Sequence, residues 1–153
     1  MTEKPSSEDQ GAAPLTGHCL CGAVTIKARP VRPHVEACHC AMCRRWGGSA
    51  FLGVQCGPDV EIEGEDHVTR YASSDWAERG FCSQCGSNLF YRFTPADNYS
   101  FPAGLFDDLG GATMSEQIFV DEKPDYYDFA QKTVMKTGAE IIAEAEAAGF
   151  SFD

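Results

Sequence analysis

The sequence has no long apolar run and few basic residues, and each absence argues against a class of protein. No segment approaches the about 18 consecutive apolar residues that a membrane span needs, so no membrane partner is expected. Residues 1–14 lack the apolar core of a secretory signal, so we expect a cytoplasmic protein whose thiols stay reduced. The 12 Lys and Arg against 23 Asp and Glu, a formal net charge of −11, argue against nucleic acid as a partner.

Short strand patterns dominate the chain, and its 153 residues suffice for one domain with a hydrophobic core. Val24 and Ile26 alternate with polar neighbours, which is typical of a half-buried strand. Residues 138–149 carry an apolar stripe at helical spacing and end in glycine, which predicts one C-terminal helix. We therefore expect a small, mainly β domain of short antiparallel strands, in which residues 116–120 form the last edge strand.

The composition predicts three regions along the chain. Residues 1–15 are polar and have no hydrophobic period, so we expect a disordered N-terminal tail. Residues 16–130 contain the strand patterns and all the cysteines, and we expect them to form the domain. Residues 131–153 are expected to be a C-terminal helical extension.

Cysteine is abundant, and three of the eight fall in the stretch Cys38-His39-Cys40-Ala41-Met42-Cys43. In a strand, alternate residues share a face, so Cys38 and Cys40 can point the same way. The spacing from Cys40 to Cys43 can close as a tight turn, which brings the third sulfur to the same place. Three converging thiols in a reduced compartment indicate a metal site, for which zinc is the default ion.

Four further cysteines form two pairs, Cys19 with Cys21 and Cys82 with Cys85. The two pairs sum to four thiolates, which is a closed structural zinc shell, and the triplet would keep a fourth position open. An alternative joins the triplet to one member of a pair and leaves three thiols unused. An even cysteine count also suits disulfides, although the missing secretory signal favours metal ligands. Cys56 lies outside the clusters and is interpreted as a lone core or surface thiol.

A zinc ion on three thiolates favours a soft fourth ligand, such as an incoming thiolate, held as a nucleophile near neutral pH. Such a thiolate could attack a small aldehyde, a reaction that needs no nucleotide, and no glycine-rich phosphate loop is present. Arg44 and Arg45 follow the triplet and are candidates to bind an anionic thiol, although a solvated turn is the alternative. Alternation turns His39 away from the metal, so it is not expected to be a ligand.

Three segments together resemble the family of glutathione-dependent formaldehyde-activating enzymes, which includes the centromere protein V relatives. The segments are 17–24, 38–44 and 79–87, each with one cysteine cluster, and residues 101–108 and 124–126 look like C-terminal features of that family. The resemblance covers about residues 16–130. It implies a β-tent fold, a structural zinc on one set of cysteines and a second zinc, where substrate binds, on another. The structural set is Cys19, Cys21, Cys82 and Cys85, and the substrate-binding, catalytic set is Cys38, Cys40 and Cys43.

The activity linked to that family joins glutathione to formaldehyde, which makes this chain an expected carbon–sulfur lyase or synthase. Its substrates would be a small-molecule thiol and an aldehyde. The alternative is a non-catalytic zinc-binding scaffold or interaction module, in which both metal sites are inert toward added thiol. An iron–sulfur or redox thiol protein is a third possibility, and it would be coloured as isolated or would cycle disulfides, whereas zinc is colourless.

Overall fold

The computed structural model describes residues 13–152 as a mainly β protein that divides into two compact units. One unit contains residues 13–33 and 54–112, and the other contains residues 34–53 and 113–152. The predicted N-terminal tail, residues 1–15, falls outside the described residues as far as residue 12, and Leu15 begins the first strand. Among the described residues, no helix has the length and apolar character required to cross a membrane.

The first unit is built from antiparallel strands. Three of them, β1, β2 and β5, form a small sheet in that order. Four more, β6 to β9, form a meander in which each strand pairs with the next. The bounds are β1 Leu15–His18, β2 Thr25–Ala28, β5 Val60–Glu63, β6 Val68–Ser74, β7 Ala77–Cys82, β8 Asn88–Phe93 and β9 Asn98–Pro102.

The core of this unit follows the alternation of apolar residues in its strands. Val24 and Ile26 are both fully buried, as the sequence pattern predicts. Phe90 and Phe101 are also fully buried, and their rings meet edge to face with centroids 6.4 Å apart. Aromatic pairs in this geometry add stabilisation beyond their buried area, so the meander is held by its own side chains.

The second unit contains strands and two α-helices. Its strands run in the order β11-β10-β3-β4, and β4 continues into the first unit at residue 54. β3 pairs antiparallel with β4, whereas β10 pairs parallel with both β3 and β11. The bounds are β3 His34–Cys38, α1 Ala41–Gly47, β4 Phe51–Gly57, β10 Thr113–Ile118, β11 Val134–Lys136 and α2 Gly138–Ala147.

Two features of the second unit differ from the sequence-based expectation. The strand expected at residues 116–120 is β10, but β11 pairs along its outer side, so the prediction of an edge strand was wrong. β11 has only three residues, which is too short for a readable alternation pattern. The parallel pairs also escape prediction, because a parallel partner is reached through a long connection and not through a local turn.

The predicted C-terminal helix is present as α2. Thr137 precedes it and forms a capping box, in which its side chain accepts from the Glu140 N–H while Glu140 reaches back to the Thr137 N–H. Lys136 lies beside this start and forms ion pairs with Glu116 of β10 and Glu144 of α2, with N–O distances of 3.2 and 2.9 Å. These contacts hold the helix against the sheet of its own unit.

Candidate metal centres

The first cysteine pair lies in the turn that joins β1 to β2. The backbone N–H of Cys19 donates to the Val24 carbonyl at 3.1 Å, and the Gly22 N–H donates to the Cys19 carbonyl at 3.1 Å. Gly22 has φ +82°, a left-handed conformation that glycine adopts without steric cost. The Val24 N–H points at the Cys19 sulfur, 3.4 Å away. The local sequence thus folds into a tight turn whose backbone N–H groups favour a thiolate.

The second pair lies where β7 ends, in another turn that a glycine closes. Cys82 is the last residue of β7, and its carbonyl accepts from the Gly86 N–H at 2.8 Å. Gly86 has φ +80°, which is again left-handed. The Gln84 N–H lies 3.4 Å from the Cys82 sulfur, so this turn also directs a backbone donor toward sulfur.

The two turns meet in the first unit and bring four sulfurs together. Cys19 and Cys21 have sulfurs 3.7 Å apart, and the sulfurs of Cys21 and Cys82, 61 residues away in sequence, are 3.8 Å apart. All four sulfurs, including that of Cys85, lie within 4.8 Å of one another. Zinc–sulfur bonds of about 2.3 Å in tetrahedral geometry place sulfurs about 3.8 Å apart, so the arrangement fits a zinc-sized ion.

Ser87 links the two turns beside this four-cysteine group. Its hydroxyl accepts from the Leu20 N–H at 3.0 Å and lies 3.2 Å from the Cys85 sulfur. Hydrogen bonds from the Ser87 side chain and backbone lower the pKa of the Cys85 thiol to about 5. Because this thiol releases its proton readily, the replacement of that proton by a metal ion costs little free energy.

The remaining three clustered cysteines, the trio Cys38, Cys40 and Cys43, lie at the corner where β3 ends and α1 begins. Cys38 ends β3, Cys40 is the N-cap of α1, and Cys43 lies in its first turn. Cys40 keeps an extended backbone, φ −63° and ψ 156°, and its sulfur accepts from the Cys43 N–H at 3.4 Å. The sequence predicted that Cys38 and Cys40 share a strand face, whereas β3 ends at Cys38 and the helix α1 contributes the third cysteine.

The three sulfurs of the trio lie within 4.8 Å of one another, and no fourth Cys, His, Asp or Glu ligand atom from the described residues joins them. Cys43 is buried and Cys40 is partly exposed, so the group opens toward solvent on one side. Hydrogen bonds from the thiols of Cys38 and Cys43 lower the pKa of Cys40 to about 2, and the same contacts raise the pKa of Cys38. These hydrogen bonds therefore favour a thiolate at Cys40 beside a protonated thiol at Cys38.

His39 takes no part in the sulfur group, as the sequence predicted. Its ring is fully buried and contacts Gln117 and Tyr127, with its two nitrogens 2.8 Å from the Gln117 side-chain oxygen and the Tyr127 hydroxyl. The sequence analysis missed these contacts, because the partners are 78 and 88 residues away and no local pattern marks them.

The two arginines after the trio are placed differently. Arg44 is half-buried and its Nε donates to the His39 carbonyl at 3.1 Å, whereas Arg45 is exposed. Trp46 and Phe51 pack on each other with ring centroids 5.7 Å apart. Both arginines remain candidates for binding an anion, and Arg44 also makes the hydrogen bond to the His39 carbonyl.

Asp108 and Cys56 lie outside both sulfur groups. The Asp108 carboxylate accepts from the Gly110 N–H at 2.8 Å, as expected of a turn. Cys56 is 1% exposed and lies in neither sulfur group. None of the cysteines, all of which are described, is in a disulfide.

The fold and these sites define a mainly β protein with two cysteine groups, one of four and one of three, that could each hold a metal ion. The sequence of residues 14–122 matches the family model for glutathione-dependent formaldehyde-activating enzymes. An uncharacterized lyase of Schizosaccharomyces pombe is 40% identical over 127 residues, which cover 82% of this chain and 93% of that protein. The chain therefore belongs to the glutathione-dependent formaldehyde-activating enzyme family.

A second relative agrees with this assignment, and a solved structure matches the fold. A Halomonas elongata protein, provisionally named a glutathione-dependent formaldehyde-activating enzyme, is 28% identical over 131 residues, or 77% of this chain and 82% of that protein. The crystal structure of a Rhodobacter sphaeroides protein superposes with a TM-score of 0.54 at 23% identity, covering 66% of this chain and 100% of the other. At that identity the structural match supports the fold alone.

Proposed function

We propose that this protein is a zinc-dependent carbon–sulfur lyase or synthase that adds a glutathione-type thiol to a small aldehyde such as formaldehyde. The observation that carries the proposal is the trio of sulfurs with no fourth protein ligand atom among the described residues. Family membership and the lyase relative support an enzyme of this kind. Zinc would bind the four-cysteine group as a structural ion and the trio as the catalytic one, in a cytoplasmic protein.

The trio suits this chemistry because its three thiolates are soft and carry the charge that a divalent ion needs. Zinc bound there would supply a place where an incoming thiol is held as its thiolate. In the reaction, sulfur forms a bond to the aldehyde carbon while the carbonyl π electrons move to oxygen. The proton lost by the thiol ends on that oxygen, so the product is an S-hydroxymethyl thioether and no oxidant is required.

Arg44 and Arg45 are the proposed binding residues for the carboxylates of the thiol. The Nε–H of Arg44 donates to the His39 carbonyl, so the two terminal guanidinium nitrogens of Arg44 are the groups that would reach a substrate. Arg45 is exposed on the next helical position. Arg45→Gln is the cleaner test, since it removes a charge without releasing His39, and we expect KM for glutathione to rise while kcat stays unchanged.

The decisive experiment combines cobalt substitution with product detection. Cobalt in the trio should change its absorption bands when glutathione is added and stay unchanged with S-methylglutathione, which has no ionisable thiol. In parallel, nuclear magnetic resonance with ¹³C-formaldehyde should record S-hydroxymethylglutathione forming faster than without protein. Cys40→Ser should abolish both responses, whereas Cys56→Ala should leave both intact.

A wild-type protein that holds two metal ions but shows neither response would contradict the enzymatic proposal. That outcome would favour the alternative of a non-catalytic zinc-binding scaffold.

A further inference from the structure

The single residue between two ligands of the trio, His39, is held by a hydrogen bond at each of its polar atoms. Its backbone N–H donates to the Ile118 carbonyl at 3.1 Å, and its carbonyl accepts from Arg44 Nε at 3.1 Å. Its ring nitrogens lie 2.8 Å from the Tyr127 hydroxyl and 2.8 Å from Gln117 Oε1. These contacts fix both the backbone and the side chain of the corner that separates Cys38 from Cys40.

The partners of the imidazole ring are themselves fixed. Gln117 Nε2 donates to Thr133 Oγ1 at 3.0 Å, which turns the Gln117 oxygen toward His39. In this arrangement the ring Nε2–H donates to Gln117, and Nδ1 accepts from the Tyr127 hydroxyl. The rings of Tyr127 and Phe129 also pack against the imidazole, with centroids 5.5 and 5.8 Å away. His39 is thereby held to β10 and to the segment that follows it.

The position of His39 determines how the sulfurs of the trio are spaced. Cys38 belongs to β3, whereas Cys40 caps α1 and accepts from the Cys43 N–H, so Cys40 and Cys43 move together. Only the peptide units of His39 connect the Cys38 sulfur to the other two along the chain. A rotation at this corner would therefore displace two ligands relative to the third.

We propose that His39 is a positioning residue, and that Gln117 and Tyr127 lock it so that the three sulfurs stand in metal-binding geometry. The inference rests on the proposed function in one respect, namely that the trio is the metal site. His39 is not a ligand in this proposal, because its two ring nitrogens are engaged by Gln117 and Tyr127. Its effect is on how tightly and in what geometry the trio holds an ion.

The test uses two variants that keep the size of the side chain, and each deletes one of the two hydrogen bonds of the His39 ring. Tyr127→Phe removes a hydroxyl and keeps the ring, and Gln117→Met removes the amide. Tyr126→Phe is the matched control, since it removes the hydroxyl of an adjacent tyrosine that is 71% exposed. Cobalt affinity of each site is measured in the full chain by competition with a chelator, together with the absorption spectrum of the cobalt-loaded trio.

We expect each variant to weaken cobalt binding at the trio about tenfold, as is usual when a group that orients metal ligands is lost, and to shift its ligand-field bands. The four-cysteine site and the Tyr126→Phe protein should behave as wild type. Unchanged trio affinity and spectrum in both variants would overturn the proposal. An equal loss of cobalt at both sites would also overturn it, because it would mean that the contacts stabilise the fold in general.

The cobalt experiment on the His39 contacts and the test of the proposed function can fail independently of each other. If the wild-type trio binds cobalt and the variants weaken it, but no S-hydroxymethylglutathione forms, the positioning role stands and the enzymatic proposal falls. If product forms in wild type and both variants bind cobalt normally, the enzymatic proposal stands and the positioning role of His39 falls.

Discussion

Cys56 differs in chemistry from the seven clustered cysteines because it is buried and lies outside both sulfur groups. Its thiol donates toward the Val54 carbonyl at 3.7 Å, and burial, together with the charge of Asp59, raises its pKa to about 12. A thiol in this setting is neither a good nucleophile nor a good ligand at neutral pH, since both roles need the thiolate. The surroundings of Cys56, as well as its sequence spacing, therefore account for its place outside the two sulfur groups.

The raised pKa of Cys56 predicts a loss of stability at alkaline pH. The ordinary thiol pKa is 9.0, so between about pH 9 and 12 the unfolded chain releases a proton that the folded chain keeps. The stabilisation is complete below pH 9 and is lost as pH rises toward 12. With reductant present, the free energy of unfolding in urea should fall more steeply with pH for wild type than for Cys56→Ala.

The difference between the two slopes should approach about 1.4 kcal/mol per pH unit at most, the value for one proton. Parallel slopes above pH 9 would mean that the Cys56 thiol ionises equally in the folded and unfolded chains.

Among the elements, β7 depends on a glycine opposite an aromatic ring. Gly80 of β7 pairs with Phe90 of β8, and a Cβ at Gly80 would lie 2.4 Å from Cζ of that ring. Because Phe90 is fully buried, the ring has little room to move. We expect Gly80→Ala to lower the free energy of unfolding by about 1–3 kcal/mol, measured by urea denaturation.

Gly104→Ala is the matched control for that prediction, since nothing lies within 4 Å of a Cβ at position 104. It should be close to wild type in stability. If the two variants lose the same amount of stability, a clash with the Phe90 ring is not the cause.

The helix α2 depends on its capping box. Thr137→Ala removes the side-chain acceptor of the Glu140 N–H and should lower stability by about 1 kcal/mol. Thr137→Ser keeps the hydroxyl and should retain most of that stability. The midpoint of urea denaturation measures both variants, and an alanine variant as stable as wild type would show that packing alone starts the helix.

For the molecule as a whole, the proposed structural metal ion joins segments far apart in sequence. It would tie the turn after β1 to the end of β7, and binding energies for structural zinc reach about 10 kcal/mol or more. That exceeds the total stability of many domains. Cys82→Ser should therefore lose the native circular dichroism spectrum and one metal ion per chain, whereas Cys56→Ala should lose neither.

A soluble Cys82→Ser protein with the wild-type spectrum would contradict this prediction. It would mean that the antiparallel strands of the first unit hold together without the four-cysteine ion.

Features that depend on short spacing could be predicted from the amino-acid sequence. The three local cysteine clusters, the buried positions of Val24 and Ile26 and the helix that begins at residue 138 each follow from residues a few positions apart. Local backbone geometry governs such features, so a local pattern is enough to predict them. The cysteine spacing with its neighbouring residues also sufficed to recognise the family.

The contacts between residues far apart in sequence could be identified only in the folded chain. The parallel pairing of β10, the bridge from Ser87 to the first cysteine turn and the contacts of His39 with Gln117 and Tyr127 join segments tens of residues apart. Nothing in the spacing of a single segment encodes its partner, because these contacts form only where the packed chain brings the segments together. The cysteines of the trio could therefore be identified from six consecutive residues, whereas the contacts of His39 with Gln117 and Tyr127 could not.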